Sequence, residues 1–175
     1  MAEATEISAI VNCLNLYAIA VDSQCWDLFD QVFTEDITAD FGGQAVWKGR
    51  TDLKAAFAMI HESFASTQHV TTNHHVSVSG NDASSISYVH GRFIRTVPQG
   101  GSMFESTGWY EDRLVRHPEG WRIARRSCRM QWWGGNPAVL ETAPGVKVDP
   151  VLDSMKDHAA SPAGIAHIAS LLNGA

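Results

Sequence analysis

Three observations in this 175-residue sequence predict an α+β fold. Apart from one short hairpin, residues 5–64 carry apolar side chains at the three-and-four spacing of helices. From residue 69 to 133 the spacing changes to two, the period of strands. The breaks in that second part are short and built from Gly, Asn, Asp and Pro, so the strands follow one another as an antiparallel meander. Helices followed by a run of strands is the α+β order, and a strongly curved sheet wrapped on those helices leaves a concave pocket.

Each element has its own signal. Thr5 to Val21 is predicted helical, with Ile7, Ile10, Val11, Leu14, Ala18 and Val21 on one stripe. Asp22-Ser-Gln breaks it. A shorter helix is expected from Trp26 to Phe33, with Trp26, Phe29 and Phe33 aligned, and Thr34-Glu-Asp ends it. Ile37 to Phe41 and Ala45 to Lys48 read as a hairpin about Gly42-Gly43. Thr51 is placed as the N-cap of a helix running to about Phe64, with Leu53, Phe57, Ile60 and Phe64 on one face. Four strands are then expected: His69–Val78, Ser85–Val97, Phe104–Arg116 and Trp121–Trp133. Beyond Gly134 the composition turns to Gly, Pro and Ala, and only Pro162 to Leu172 looks helical again. Residues 1–135 are therefore expected to form one domain. Residues 136–175 form an arm packing on that domain or on a neighbouring subunit.

The bulk composition narrows the function. A chain of this length buries roughly 70% of its unfolded surface. The net charge of −6 and pI near 5.7 argue against nucleic acid as a partner. Arg122, Arg125, Arg126 and Arg129 fall in one expected strand, where alternation divides them between two faces. Cys13, Cys25 and Cys128 are odd in number and lack metal or disulfide spacing, so no metal site and no disulfide framework are expected. No signal-peptide pattern opens the chain and no run of 18 apolar residues occurs, so a cytoplasmic protein without a membrane span is expected. Six Trp and seven Phe exceed what a small core requires and point to a cavity for a flat, greasy small molecule. Trp26, Trp109, Cys128 and Trp132 are expected to line it.

One pair of residues carries chemistry. Asp22 closes an apolar helix with no salt partner in its own segment, which makes it costly to bury alone. His69 opens the first long strand. An imidazole held by a carboxylate is a base near neutral pH. Each residue also has a plainer reading: Asp22 as a cap of the next helix, His69 as a satisfied core histidine. On strict alternation His75 shares the face of His69 and joins the pocket, while His74 lies on the sheet surface.

Three stretches resemble the nuclear-transport-factor-2-like superfamily, most closely its SnoaL-like branch with scytalone dehydratase, bile-acid 7α-dehydratase and hexachlorocyclohexane dehydrochlorinase. They are Tyr17-Ala-Ile-Ala-Val-Asp22, Thr67-Gln-His-Val-Thr-Thr-Asn73 and Gly120-Trp-Arg-Ile-Ala-Arg-Arg126; Phe33-Thr-Glu-Asp36 and the helix start at Gly49-Arg-Thr support them. The resemblance implies a cone-shaped α+β fold and a His-Asp dyad of His69 and Asp22. It also implies a hydrogen-bonding Tyr17 and an arginine that neutralises developing negative charge, assigned to Arg126 with Arg125 as its rival. Tyr17 precedes Asp22 by five positions, which in a regular helix of about 3.6 residues per turn diverge by about 140°. The pair converges only if Asp22 lies past the helix end. Where scytalone dehydratase carries a second histidine, this chain offers His90 and Arg95.

The implied activity is a cofactor-independent lyase. It eliminates water, or cleaves a C–C bond as in formaldehyde release, from an aromatic or polycyclic small molecule. Alternatives on the same fold are an isomerase or polyketide-type cyclase, and a non-catalytic binding module. The sheet face and the arm, with Trp132-Trp133, are expected to make a homo-dimer or homo-trimer.

Overall fold

The computed structural model describes residues 2–142, 147–161 and 165–172. Helix α1 (Ala2–Asp22) leads through a 3-10 turn (Trp26–Leu28) into the single-turn α2 (Phe29–Val32). Strands β1 (Phe33–Asp40) and β2 (Val46–Lys48) form the hairpin, and α3 (Arg50–His61) follows. The meander is β3 (Ser66–Ser79), β4 (Asp82–Ile94), β5 (Met103–His117) and β6 (Gly120–Gly135). A 3-10 turn (Pro137–Leu140) and the short helices α4 (Met155–Ala160) and α5 (Ala166–Leu172) make up the tail. The expected tail helix from Pro162 thus begins outside the described residues, and α4 is an element the sequence pattern did not announce.

The six strands form one sheet in the order β2-β1-β6-β5-β4-β3. All neighbours are antiparallel except β1 and β6, which run parallel; β2, α3 and the first three strands of the meander lie between them in the chain. The curved sheet wraps α1, whose Ile10, Leu14, Ala18 and Val21 are buried on the predicted stripe, with Tyr17 buried beside them. Helix α1 is long and apolar enough to cross a membrane by length and composition, which the count of apolar runs missed; here it is the central helix of the core.

Three local departures from expectation have physical causes. Strand character starts at Phe33, and the Thr34-Glu-Asp stretch marks a slip in register against β6. Gly49, at φ 89°, occupies the position before α3, so Thr51 is inside the helix and caps nothing. Asn73, at φ 53°, makes a bulge in β3, and the pairing with β4 shifts between Thr72 and His75. The extra residue inverts the alternation from there onward.

The tail packs on the sheet face opposite α1. His158 meets the ring of the buried Trp109 edge-on at 5.5 Å. His167 is buried, bonded to His75 at 2.9 Å and to the Ser84 hydroxyl at 2.8 Å. A cleft of about 680 Å³ remains between tail and sheet.

Candidate active site

The dyad forms where α1 ends against β3. Schellman geometry closes α1: Cys25 N–H reaches Ala20 C=O, Gln24 N–H reaches Val21 C=O, and Gln24 takes the left-handed conformation at φ 53°. This leaves Asp22 on the last turn, where the negative end of the helix dipole disfavours a carboxylate. Strand β3 supplies the compensation. Asp22 Oδ1 accepts from the Thr67 hydroxyl at 2.9 Å and from His69 Nδ1 at 2.7 Å, and Oδ2 accepts from the His69 backbone N–H at 2.7 Å. Burial alone would raise the Asp22 carboxyl. The bonds from the His69 ring and backbone, the charge of His69 and the Thr67 hydroxyl outweigh it and hold the pKa below the ordinary value. The plainer reading of Asp22 as a helix cap is set aside, since both oxygens point to β3.

With its Nδ1 proton donated to Asp22, His69 keeps its Nε2 lone pair free, and Nε2 makes no hydrogen bond among the described residues. The His69 side chain is 8% exposed and is one of six rings that contact one another in a closed collar. Successive centroids are His69–Phe93 at 5.4 Å, Phe93–Phe64 at 5.3 Å and Phe64–His61 at 5.5 Å. The circuit returns through His61–Phe57 at 5.4 Å, Phe57–Tyr17 at 6.4 Å and Tyr17–His69 at 6.4 Å. Phe93 is half-buried and reaches solvent. Trp26, also half-buried, flanks the collar against His61 and Phe57. Gly91 on β4 keeps room here, because a Cβ in its place would lie 3.1 Å from the Phe93 ring and 3.5 Å from His69 Cδ2.

Tyr17 and Asp22 therefore meet the same imidazole although Asp22 is still helical. His69 lies between them, so the two side chains converge on it from different sides. Tyr17 is buried, and desolvation raises its pKa against the pull of Arg126. A hydrogen bond links its hydroxyl to that of Tyr110.

Arg126, not Arg125, faces inward, and Arg125 is exposed on the far side. Its setting corrects the expected contact with substrate. The guanidinium is fully buried, holds Asp112 through Nε and Nη2 at 2.8 Å each, and lies between the Tyr17 and Tyr110 rings at 4.3 and 4.1 Å from their centroids. It stands one layer behind Tyr17. Only Nη1 lacks a partner among the described residues. Cys128 shares this deeper layer opposite Tyr110, and burial pushes its thiol up to about 12.

The other expected lining residues lie elsewhere. The Asn73 bulge sends His75 outward to His167 and turns His74 inward, where Nε2 meets Asn15 at 3.1 Å; the expected assignment of the two is reversed. His90 is on the outer face, bonded to Glu105 at 3.0 Å and 6.0 Å from the Trp132 ring. Trp109 and Trp132 share that face, across the sheet from the dyad. Arg95 is committed to main-chain carbonyls, with Nε to Val139 at 2.8 Å and Nη2 to Glu141 at 2.8 Å and to Ala138. It clamps the 3-10 turn after β6. Among the described residues no three His, Cys, Asp or Glu side chains converge as a metal ligand set. His61 and Gly91 went unnoticed in the sequence. The i, i+4, i+8 series Leu53, Phe57, His61 carried the signal for His61.

A family model described as a SnoaL-like domain matches residues 2–127. The uncharacterized protein Rv2910c of Mycobacterium tuberculosis is 31% identical over 127 residues, covering 72% of this chain and 86% of its own. Among solved structures, a protein provisionally named scytalone dehydratase from Novosphingobium aromaticivorans superposes with a TM-score of 0.72 at 21% identity, covering 87% of this chain and 97% of its own. A hexachlorocyclohexane dehydrochlorinase, LinA type 2, gives 0.65 at 18%, covering 79% and 94%. The fold is that of the nuclear-transport-factor-2-like superfamily.

Proposed function

Because the chain belongs to the SnoaL-like domain family, we propose that it is a cofactor-independent lyase in which His69 is the general base and Asp22 its partner. The substrate is an aromatic or similarly flat, apolar small molecule, and the cytoplasm is its place of work. The observation that carries this reading is the 2.7 Å bond from His69 Nδ1 to Asp22 with Nε2 left free at the rim of an aromatic collar. The names of two structural neighbours, a dehydratase and a dehydrochlorinase, both denote eliminations.

His69 Nε2 takes a proton from a carbon made acidic by a carbonyl or a phenol-conjugated system. Asp22 stabilises the imidazolium and fixes its orientation. The electron pair of the broken C–H bond forms the new double bond as the C–O bond breaks. The departing hydroxide takes the proton back from His69 and leaves as water. A C–C cleavage that releases formaldehyde instead draws the proton from the terminal hydroxyl: the O–H pair forms the C=O of formaldehyde, the C–C pair forms the new double bond as the neighbouring C–O bond breaks, and the departing hydroxide takes the proton from His69 and leaves as water. In this reading Tyr17 donates to the carbonyl or leaving oxygen once its hydroxyl exchanges the bond to Tyr110 for the substrate. Arg126 acts through Tyr17, holding its ring and favouring hydrogen-bond donation by its hydroxyl. General-base action of this kind contributes roughly 10²–10⁴ in rate.

His69→Ala is expected to abolish turnover of hydroxylated aromatic substrates with the circular dichroism spectrum unchanged, and Asp22→Asn to lower kcat by about 10²–10⁴. Full activity in His69→Ala sinks the dyad mechanism. If Asp22→Asn is then the dead variant, the protein is an isomerase or cyclase working from Asp22 alone.

A further inference from the structure

His61 is the most unusual member of the collar. It sits at the end of α3, 5% exposed, with Nδ1 2.8 Å from the Phe57 carbonyl. A carbonyl only accepts, so Nδ1 carries the proton and Nε2 is left as a bare acceptor. That Nε2 is buried and has no hydrogen-bond partner among the described residues. A lone pair in such a place is unfavourable unless something donates to it. Three aromatic neighbours hold the ring: it is stacked on Phe57 at 16° and edge-on to Trp26 and to Phe64, and its own backbone carbonyl is held by Gln24. It cannot turn to find a donor without breaking these contacts. Burial pushes its pKa down to about 4, against the opposing bond to Phe57, so the imidazole is neutral and Nε2 stays an acceptor near pH 7.

We infer that His61 Nε2 is a specificity-determining acceptor that selects substrates bearing a hydroxyl, or another O–H or N–H donor, on the flat apolar body held by the collar. This rests on the reading of the collar as the substrate site, and it names the substrate class: a hydroxylated aromatic compound rather than a purely carbonyl or halogenated one. The two imidazoles then divide the work. His69 Nε2 faces the reacting proton, and His61 Nε2 holds a hydroxyl that fixes the molecule in place. A ketone or ether oxygen at the same spot would set two acceptors against each other and be rejected. Selection by a buried polar atom is strong for this reason, while apolar contacts alone discriminate weakly.

The test uses the full chain and two probes of one shape, 2-naphthol and naphthalene, with binding read by equilibrium dialysis at pH 7. The wild type is expected to prefer 2-naphthol by about tenfold or more, the effect of one buried hydrogen bond. In His61→Phe, which keeps the stack on Phe57 and removes the acceptor, the preference should fall to about one. In His61→Gln, which restores an acceptor oxygen, part of it should return. An undiminished preference in His61→Phe overturns the inference, as does equal binding, or no binding, of the two probes by the wild type. Repeating the measurement in His69→Ala separates the two proposals: the preference should survive there although turnover is lost. A dyad without catalytic role would leave turnover intact in that variant and say nothing against His61.

Discussion

Position 22 shows how a single residue reveals its purpose by its cost. An aspartate on the last turn of α1 opposes the helix dipole, yet three donors from Thr67 and His69 meet it. Sequence alone showed a carboxylate without a partner in its own segment, and that was enough to select Asp22 and, with the resemblance, His69. It was not enough for Arg126, because residue type does not tell whether a guanidinium meets substrate or a buried Asp112. Buried histidines add a pH signature. The folded pKa of His61, about 4, lies below its free value of 6.5, so the unfolded chain takes up the proton first as pH falls. The sign is therefore a loss of stability between about pH 6.5 and 4, amounting to about 2 kcal/mol by pH 5 for His61 alone. Burial lowers His74 and His167 as well, and these act in the same direction. Urea unfolding at pH 7 and pH 5 checks it: His61→Phe should lose about 2 kcal/mol less stability than the wild type over that interval. An equal loss in both proteins would assign the acid sensitivity to other groups.

At the scale of elements, most of the strands and both long helices were legible because their periods are strong. The stripe Ile10, Leu14, Ala18 and Val21 is buried as the helical spacing requires. The errors lie where one residue changes a period. Asn73 adds a residue to β3, and every side chain after it changes face, which is why His75 went to the tail and His74 to the interior. Asparagine tolerates φ 53° better than most residues. Replacing it with the β-branched Asn73→Val should cost about 1–2 kcal/mol in thermal or urea unfolding. A neutral effect would mean that the bulge relaxes and that the histidines exchange faces, which histidine proton shifts would report.

For the whole molecule, the outer face is divided between the tail and an open apolar patch. Val70, Tyr88 and Trp132 remain exposed beside a groove of about 430 Å³. We propose that a second or third copy of the chain covers this patch. Sedimentation equilibrium should give two or three times the chain mass of 19.1 kDa, falling to one in Trp132→Glu. A monomeric wild type would refute the assembly. The sequence by itself determined the α+β order, the apolar stripe of α1, the meander and the candidate dyad, because each is written in local periods, in a costly residue placed in an apolar segment or, for His69, in the resemblance. Only the tertiary structure decided which face each histidine takes, that Arg126 is spent on Asp112 behind Tyr17, and that His61 closes a ring of aromatic side chains with its acceptor unmet. Those facts depend on register, bulges and the crossing of α1 by β3. Such long-range geometry, shifted by a single extra residue, leaves no mark in the local pattern.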